Sequence, residues 1–133
     1  VQRDHRFVPR VLPVVAGDTV VFRNADGVWH NAFSISPARA FDLGPFGPGA
    51  MRRVRFDHPG VVQVYSGMDP EMAGYIVVLP GQRFARPDRA GAFQFADLAP
   101  GRYDVHAWHP DLGERSACVT VTPKGSAVLR ITY

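Results

Sequence analysis

No stretch of this 133-residue chain keeps a helical apolar period; its apolar runs are short and stop at glycine or proline. Thirteen glycines and twelve prolines punctuate it every few residues. Between them lie β-branched and aromatic runs such as Thr19–Phe22, Val61–Tyr65 and Tyr75–Leu79, which suit strands. Gly17-Asp18, Asn24–Gly27, Asp57–Gly60 and Pro80-Gly81 supply the turns. The expected class is all-β, with a Greek-key β-sandwich over residues 1–80.

Within that first domain, the run before Gly17 is interrupted by Pro9 and Pro13, which suits an edge strand. His30–Ser34 resumes an extended pattern. Pro37–Gly49 reads as a wandering surface loop anchored by Phe41 and Phe46. Arg52–Phe56 is the next strand, followed by Val61–Tyr65, whose alternation puts Val62, Val64 and Ser66 on one face. Residues 81–133 form a second domain, with strands expected at Gly91–Phe95, Tyr103–Trp108, Ala117–Val121 and Ala127–Ile131. A lone four-stranded module is marginal, so it is expected to be a small β-sandwich-like module packed against the first domain.

The chain is 46% hydrophobic and 20% charged, enough apolar matter for a core and too much for disorder. Its net charge of +3 is almost wholly arginine, Lys124 being the only lysine. Arg53 and Arg55 share a strand face, which reads as a solvated surface or a docking surface for an acidic partner. The absence of interleaved aromatics argues against nucleic acid. The single cysteine, Cys118, excludes an intramolecular disulfide, and no run is apolar enough to span a bilayer.

Val64–Met72 carries the chemistry. Ser66, Asp69 and Met72 recur every third residue, with Met68 between them and His30 upstream, so a tight loop there is a candidate metal site. The plainer reading has Asp69 capping backbone amides ahead of Pro70 and Met72 in the core. Trp29 beside His30 marks a docking patch or covers the sandwich end. Asn24 and Asp26 are expected to tie loops together. His5 reads as a surface residue that joins His30 only if the amino terminus reaches the same end, and His58 belongs to the opposite end. His106 and Trp108 are expected to pack between the two domains, and Cys118 to be a small filler. No Ser-His-Asp order, phosphate loop or paired catalytic carboxylates stand out, so no enzymatic role is expected.

Phe7-x-Pro9, Gly17-Asp18-Thr19-Val20-x-Phe22-x-Asn24-x-Asp26, His30-Asn31, Ser34, Gly60-Val61, Pro70, Met72 and Ile76 together resemble the cupredoxins. The resemblance is closest to the plastocyanin-like proteins of the methylamine-utilisation type, over roughly residues 5–80. Asp88-x-x-Gly91-x-Phe93, Leu98-x-Pro100-Gly101-x-Tyr103 and Trp108-His109-Pro110 look like a carboxypeptidase-regulatory-like (prealbumin-like) module.

The cupredoxin resemblance implies a loop Cys-x-x-His-x-x-Met that, with an upstream histidine, binds copper. His30 and Met72 fit it, but Ser66 stands in place of the cysteine and Asp69 in place of the second histidine. Without the thiolate a type 1 (blue) site cannot form. Two readings follow. One is a non-enzymatic, periplasmic or otherwise extracytoplasmic binding or structural protein, its signal peptide removed, meeting a protein partner or envelope complex through Trp29, His30 and Met72. The other is a copper-binding or copper-trafficking protein using His30, Asp69 and Met72, with Ser66 and Met68 nearby. Electron transfer is a third reading, against the residues present.

Overall fold

The computed structural model describes all 133 residues as an all-β chain of eleven strands. It divides into two compact units, Val1–Gln82 and Arg83–Tyr133. In the first, β1 (Gln2–Arg3) and β2 (Arg6–Phe7) make a small hairpin. Then come β3 (Val11–Val15), β4 (Thr19–Arg23), β5 (Phe33–Ser36), β6 (Arg39–Asp42), β7 (Met51–Arg55), β8 (Gly60–Tyr65) and β9 (Ala73–Leu79). One sheet runs β3-β9-β8-β5-β6, with β3 parallel to β9, and the other pairs β4 with β7. The chain changes sheet on either side of β4 and again on either side of β7, the crossing pattern of a Greek-key sandwich.

Alternation builds the core. Val62 and Val64 on β8, Ile76 and Val78 on β9 and Val14 on β3 turn inward from the larger sheet. Phe22 on β4 and Val54 on β7 meet them from the smaller one. Phe41 bridges the layers, its ring 5.6 Å from Phe22 and 6.1 Å from Phe56. Pro13 lies on β3, an edge strand, where its missing N–H costs no central ladder bond.

Two local features depart from the sequence reading. Pro37–Gly49 contains a strand, β6, whose Phe41 pairs with Ser34, and beyond it Phe46 is fully buried beside His30. The amino-terminal hairpin also carries no apolar period: Phe7 is its one buried apolar side chain, and polar groups hold the rest. Gln2 is buried, its amide Nε2 donating to the Asn31 carbonyl at 2.9 Å. Asp4 and His5 form its turn with φ of 52° and 55°, as a type I′ turn demands.

The second unit holds one antiparallel ribbon, β10 (Gly101–His109) with β11 (Gly113–Val121). Gly91–Phe95 and Ala127–Ile131 alternate as strands should, yet neither pairs with anything. Around Gly91 the Asp88 carboxylate accepts from the Ala90 and Ala92 amides, which closes a local turn in place of a ladder. His106 and Cys118 are likewise on the exposed face of the ribbon. His106 Nδ1 meets Glu114 at 2.8 Å, which corrects its placement as a packed residue. Cys118 donates to Asp104 at 2.7 Å and accepts from Arg102 at 3.3 Å, so it is not a filler.

Candidate functional site: a hydrogen-bonded loop end

Ser66, buried at the end of β8, organises the loop that follows. Its Oγ accepts from the amides of Met68 at 3.3 Å and Asp69 at 3.2 Å and donates to Asn31 Oδ1 at 3.2 Å. Asn31 Oδ1 also accepts from the Gly67 amide at 2.7 Å. One hydroxyl and one amide oxygen therefore satisfy three consecutive backbone N–H groups that a tight loop would otherwise leave open. The turn closes with Met72 N donating to Asp69 O at 3.0 Å, which drives the Met72 side chain into the core.

His30 sits beneath this loop, 1% exposed. Reciprocal backbone bonds with Phe46, 3.1 and 2.8 Å, fix its main chain. Its Nε2 lies 2.7 Å from Asp26 Oδ2. A carboxylate only accepts, so Nε2 is the donor of this bond, and Nδ1 is the ring's other nitrogen. That Nδ1 is buried and has no hydrogen-bond partner, as has the side-chain Oε1 of Gln2.

Asp26 also accepts from the backbone amides of Asp4, at 2.6 Å, and His5, at 3.1 Å. These bonds hold the hairpin turn over the loop end. His5 thus reaches His30 after all: the rings stand edge to face with centroids 5.6 Å apart. His5 Nδ1 meets Asp69 Oδ2 at 2.9 Å, while Asp69 Oδ1 accepts from Glu71 N at 3.3 Å, an amide beyond Pro70 and not ahead of it. A continuous chain results, Asp26 binding His30 and the His5 amide, and the His5 ring binding Asp69. Burial alone would push the Asp26 carboxyl up. The bonds from His30 and from the His5 and Asp4 amides outweigh it and hold the pKa below the ordinary carboxylate value.

The spacing of Asp26 to His30, four residues, was visible in the sequence, but in a loop that spacing implies no contact. The sequence left His5 at the surface unless the amino terminus reached this end, because the hairpin that delivers it has no apolar pattern. Asn24 behaves as read: its Nδ2 donates to the Val28 and Phe46 carbonyls and its Oδ1 accepts from Asp26 N.

The residues do not fit a type 1 copper site. Ser66 offers an occupied hydroxyl in place of a thiolate, and the sole cysteine lies in the other unit with its own partners. The Asp69 carboxylate is turned to His5, and no three His, Cys, Asp or Glu side chains are grouped to hold a metal ion. His30 Nδ1 is buried there without a hydrogen-bond partner. Of the three expected contact residues, Trp29 is 60% exposed, resting on Gly47, whereas Met72, 2% exposed, and His30 lie beneath the surface.

No protein-family model matches the chain, and no curated protein does so. Solved structures do. A purple cupredoxin from Nitrosopumilus maritimus is 28% identical, covering 57% of this chain and 84% of its own, with a TM-score of 0.52. A copper-containing nitrite reductase from Thermus scotoductus is 27% identical over 61% of this chain and 22% of its own, TM-score 0.57. Amicyanin matches at 21% identity over 59% of this chain and 77% of its own, TM-score 0.55. The matched share is about the size of Val1–Gln82, and the sandwich there has the cupredoxin fold.

Proposed function

We propose that Val1–Gln82 is a non-enzymatic, extracytoplasmic binding domain on a cupredoxin frame, its loop end set by hydrogen bonds in place of a blue copper ion. The carrying observation is Ser66: its hydroxyl stands where the resemblance puts the thiolate and is engaged by two loop amides and Asn31. Those bonds, with that of the Gly67 amide to Asn31, hold the loop. Its exposed apolar residues, Trp29, Val28 and Met68, supply the contact surface for a protein partner such as a subunit of an envelope complex. His30 and Met72 support that surface from below. The turns at Asp88 and at Tyr103, whose hydroxyl donates to the Ala99 carbonyl at 2.6 Å, support a carboxypeptidase-regulatory-like reading of Arg83–Tyr133.

A second reading, copper handling without a thiolate, is favoured by one observation, the buried and unpartnered His30 Nδ1. In it His30 and Met72 hold the ion, and Asp69 joins after releasing His5. Titration of the purified full chain with Cu(II), and with Cu(I) under reducing conditions, separates the two. The first reading expects no stoichiometric binding. A pale, stoichiometric Cu(II) signal lost in His30→Ala would establish the second and overturn the first. An intense blue thiolate band would sink both. The double change Ser66→Cys with Asp69→His is expected to create a coloured site, and a folded double variant that binds no copper would count against this placement of the loop.

A further inference from the structure

The two strands of the smaller sheet turn six side chains outward, and all six are exposed: Thr19, Val21 and Arg23 on β4, with Arg55, Arg53 and Met51 opposite them on β7. Three are arginines and none is an acid. Facing side chains on paired strands stand about 5 Å apart, and successive outward ones along a strand about 7 Å. Arg23, Arg53 and Arg55 therefore form one cationic run across the face, each opposite a neutral residue. Arg55 alone has an acidic partner, Asp57 at 2.6 Å, and both members of that pair are more than half exposed, 66% and 51%. So exposed a pair holds weakly, which leaves Arg55 free to exchange one carboxylate for another. In the larger sheet, β3, β8 and β9 contain no charged residue at all. The cations are gathered on one side of the unit, where their fields add.

The far edge of β7 is held by arginine side chains. In an antiparallel ladder alternate residues bond across the pair. Phe56 N donating to Asp18 O at 2.9 Å and Asn24 N donating to Ala50 O at 3.0 Å put the even-numbered residues on the β4–β7 bonds. The carbonyls of Arg55 and Met51 therefore point away from β4. They accept from Arg39 Nε at 2.9 Å and from Arg52 Nη1 at 3.0 Å. Those side chains stand where a further strand would pair, so β7 offers its outward side chains for recognition and not its backbone. On the other side, any strand beside β4 lies in the plane of the sheet and widens this face without covering Arg53 or Arg55.

We propose that the outward face of the smaller sheet, centred on Arg53, docks an acidic surface of a partner protein. Carboxylates of the partner pair with Arg53 and Arg55, whose planar forks suit them. An apolar side chain between those carboxylates lies over Val21 and Met51, which are 41% and 52% exposed. An apolar centre within a charged rim is the anatomy of a protein interface. The arginines set the rate and orientation of encounter, and the apolar contact lengthens the life of the complex. The face lies in the first unit and does not depend on the reading of the loop end.

The test is a fluorescent seven-residue peptide, three glutamates on either side of a leucine, titrated into the full chain and followed by anisotropy and by amide chemical shifts. Saturable binding at or below about 1 mM is expected at low ionic strength, weakened by added salt, with shifts at Val21, Met51 and Arg53. A peptide with glutamine in place of every glutamate is expected to bind at least about tenfold more weakly, whatever the protein variants do. Serine in place of the leucine is expected to weaken binding about threefold or more. Arg53→Glu is expected to weaken it at least about tenfold, whereas Arg130→Glu, at an exposed arginine of the other unit, leaves it within about twofold. Equal losses in the two variants, equal binding of the glutamine peptide, shifts confined to other residues, or no binding overturns the proposal. So does Arg53-dependent retention on phosphatidylglycerol vesicles without binding of the peptide, which assigns the face to a membrane.

Discussion

Asp26 accepts three hydrogen bonds on two oxygens, from the His30 ring and from two amides of the hairpin turn. The consequence for pH follows from the sign of its shift. Its carboxyl titrates below the ordinary value, and a group depressed in the folded state stabilises the fold above its unfolded pKa, near 4. That contribution is lost as pH falls through the folded value. Asp26→Asn is therefore expected to lower stability by about 1–3 kcal/mol at pH 6, with the gap to the native protein closing as pH drops below about 4. Urea midpoints from pH 6 to pH 2 check this, and a gap that stays constant across the range would rule it out. The sequence announced a polar loop end at Asn24, Asp26 and His30. It was silent on the partners, since Asp26 takes two of its three bonds from residues more than twenty positions away.

At the scale of elements, the hairpin β1–β2 couples the amino terminus to the loop, and its anchor is Phe7 against β9. Gly74 makes room for it: a Cβ there would stand 2.9 Å from Phe7 Cβ and 3.2 Å from Cγ. The near atom is the root of a buried side chain, which cannot swing aside. Gly74→Ala is thus expected to cost about 1–3 kcal/mol by overpacking and to loosen the hairpin, with faster amide exchange at His5 as the specific sign. Unchanged stability and exchange would show that Phe7 does not pin the hairpin. The strands β3, β4, β7, β8 and β9 were legible because each is an apolar or alternating run between turn residues. β1 and β2 were not, because each is two residues long and Phe7 is their one buried apolar side chain. β6 was missed because its short run is set among glycines and prolines, which read as loop.

For the whole molecule, every buried core residue, from Phe7 to Val78, belongs to Val1–Gln82, and no residue of Arg83–Tyr133 is buried. This explains the uneven outcome of sequence reading in the two halves. In the first unit, alternation coincides with burial, because a second sheet waits on the inner face. In the second, Gly91–Phe95 and Ala127–Ile131 alternate just as well, but no neighbouring strand accepts their backbone, and Val128 is 95% exposed. Alternation specifies a face; it cannot supply a partner. A two-stranded ribbon is marginal alone in water, even one with nine residue pairs in register. The fragment 1–82 is therefore expected to unfold in a single cooperative thermal transition, with the near-ultraviolet dichroism of fixed aromatic rings. The fragment 83–133 is expected to show neither. Calorimetry of the two fragments decides it, and a cooperative transition in 83–133 alone would mean that Gly91–Phe95 or Ala127–Ile131 finds the strand partner its pattern calls for.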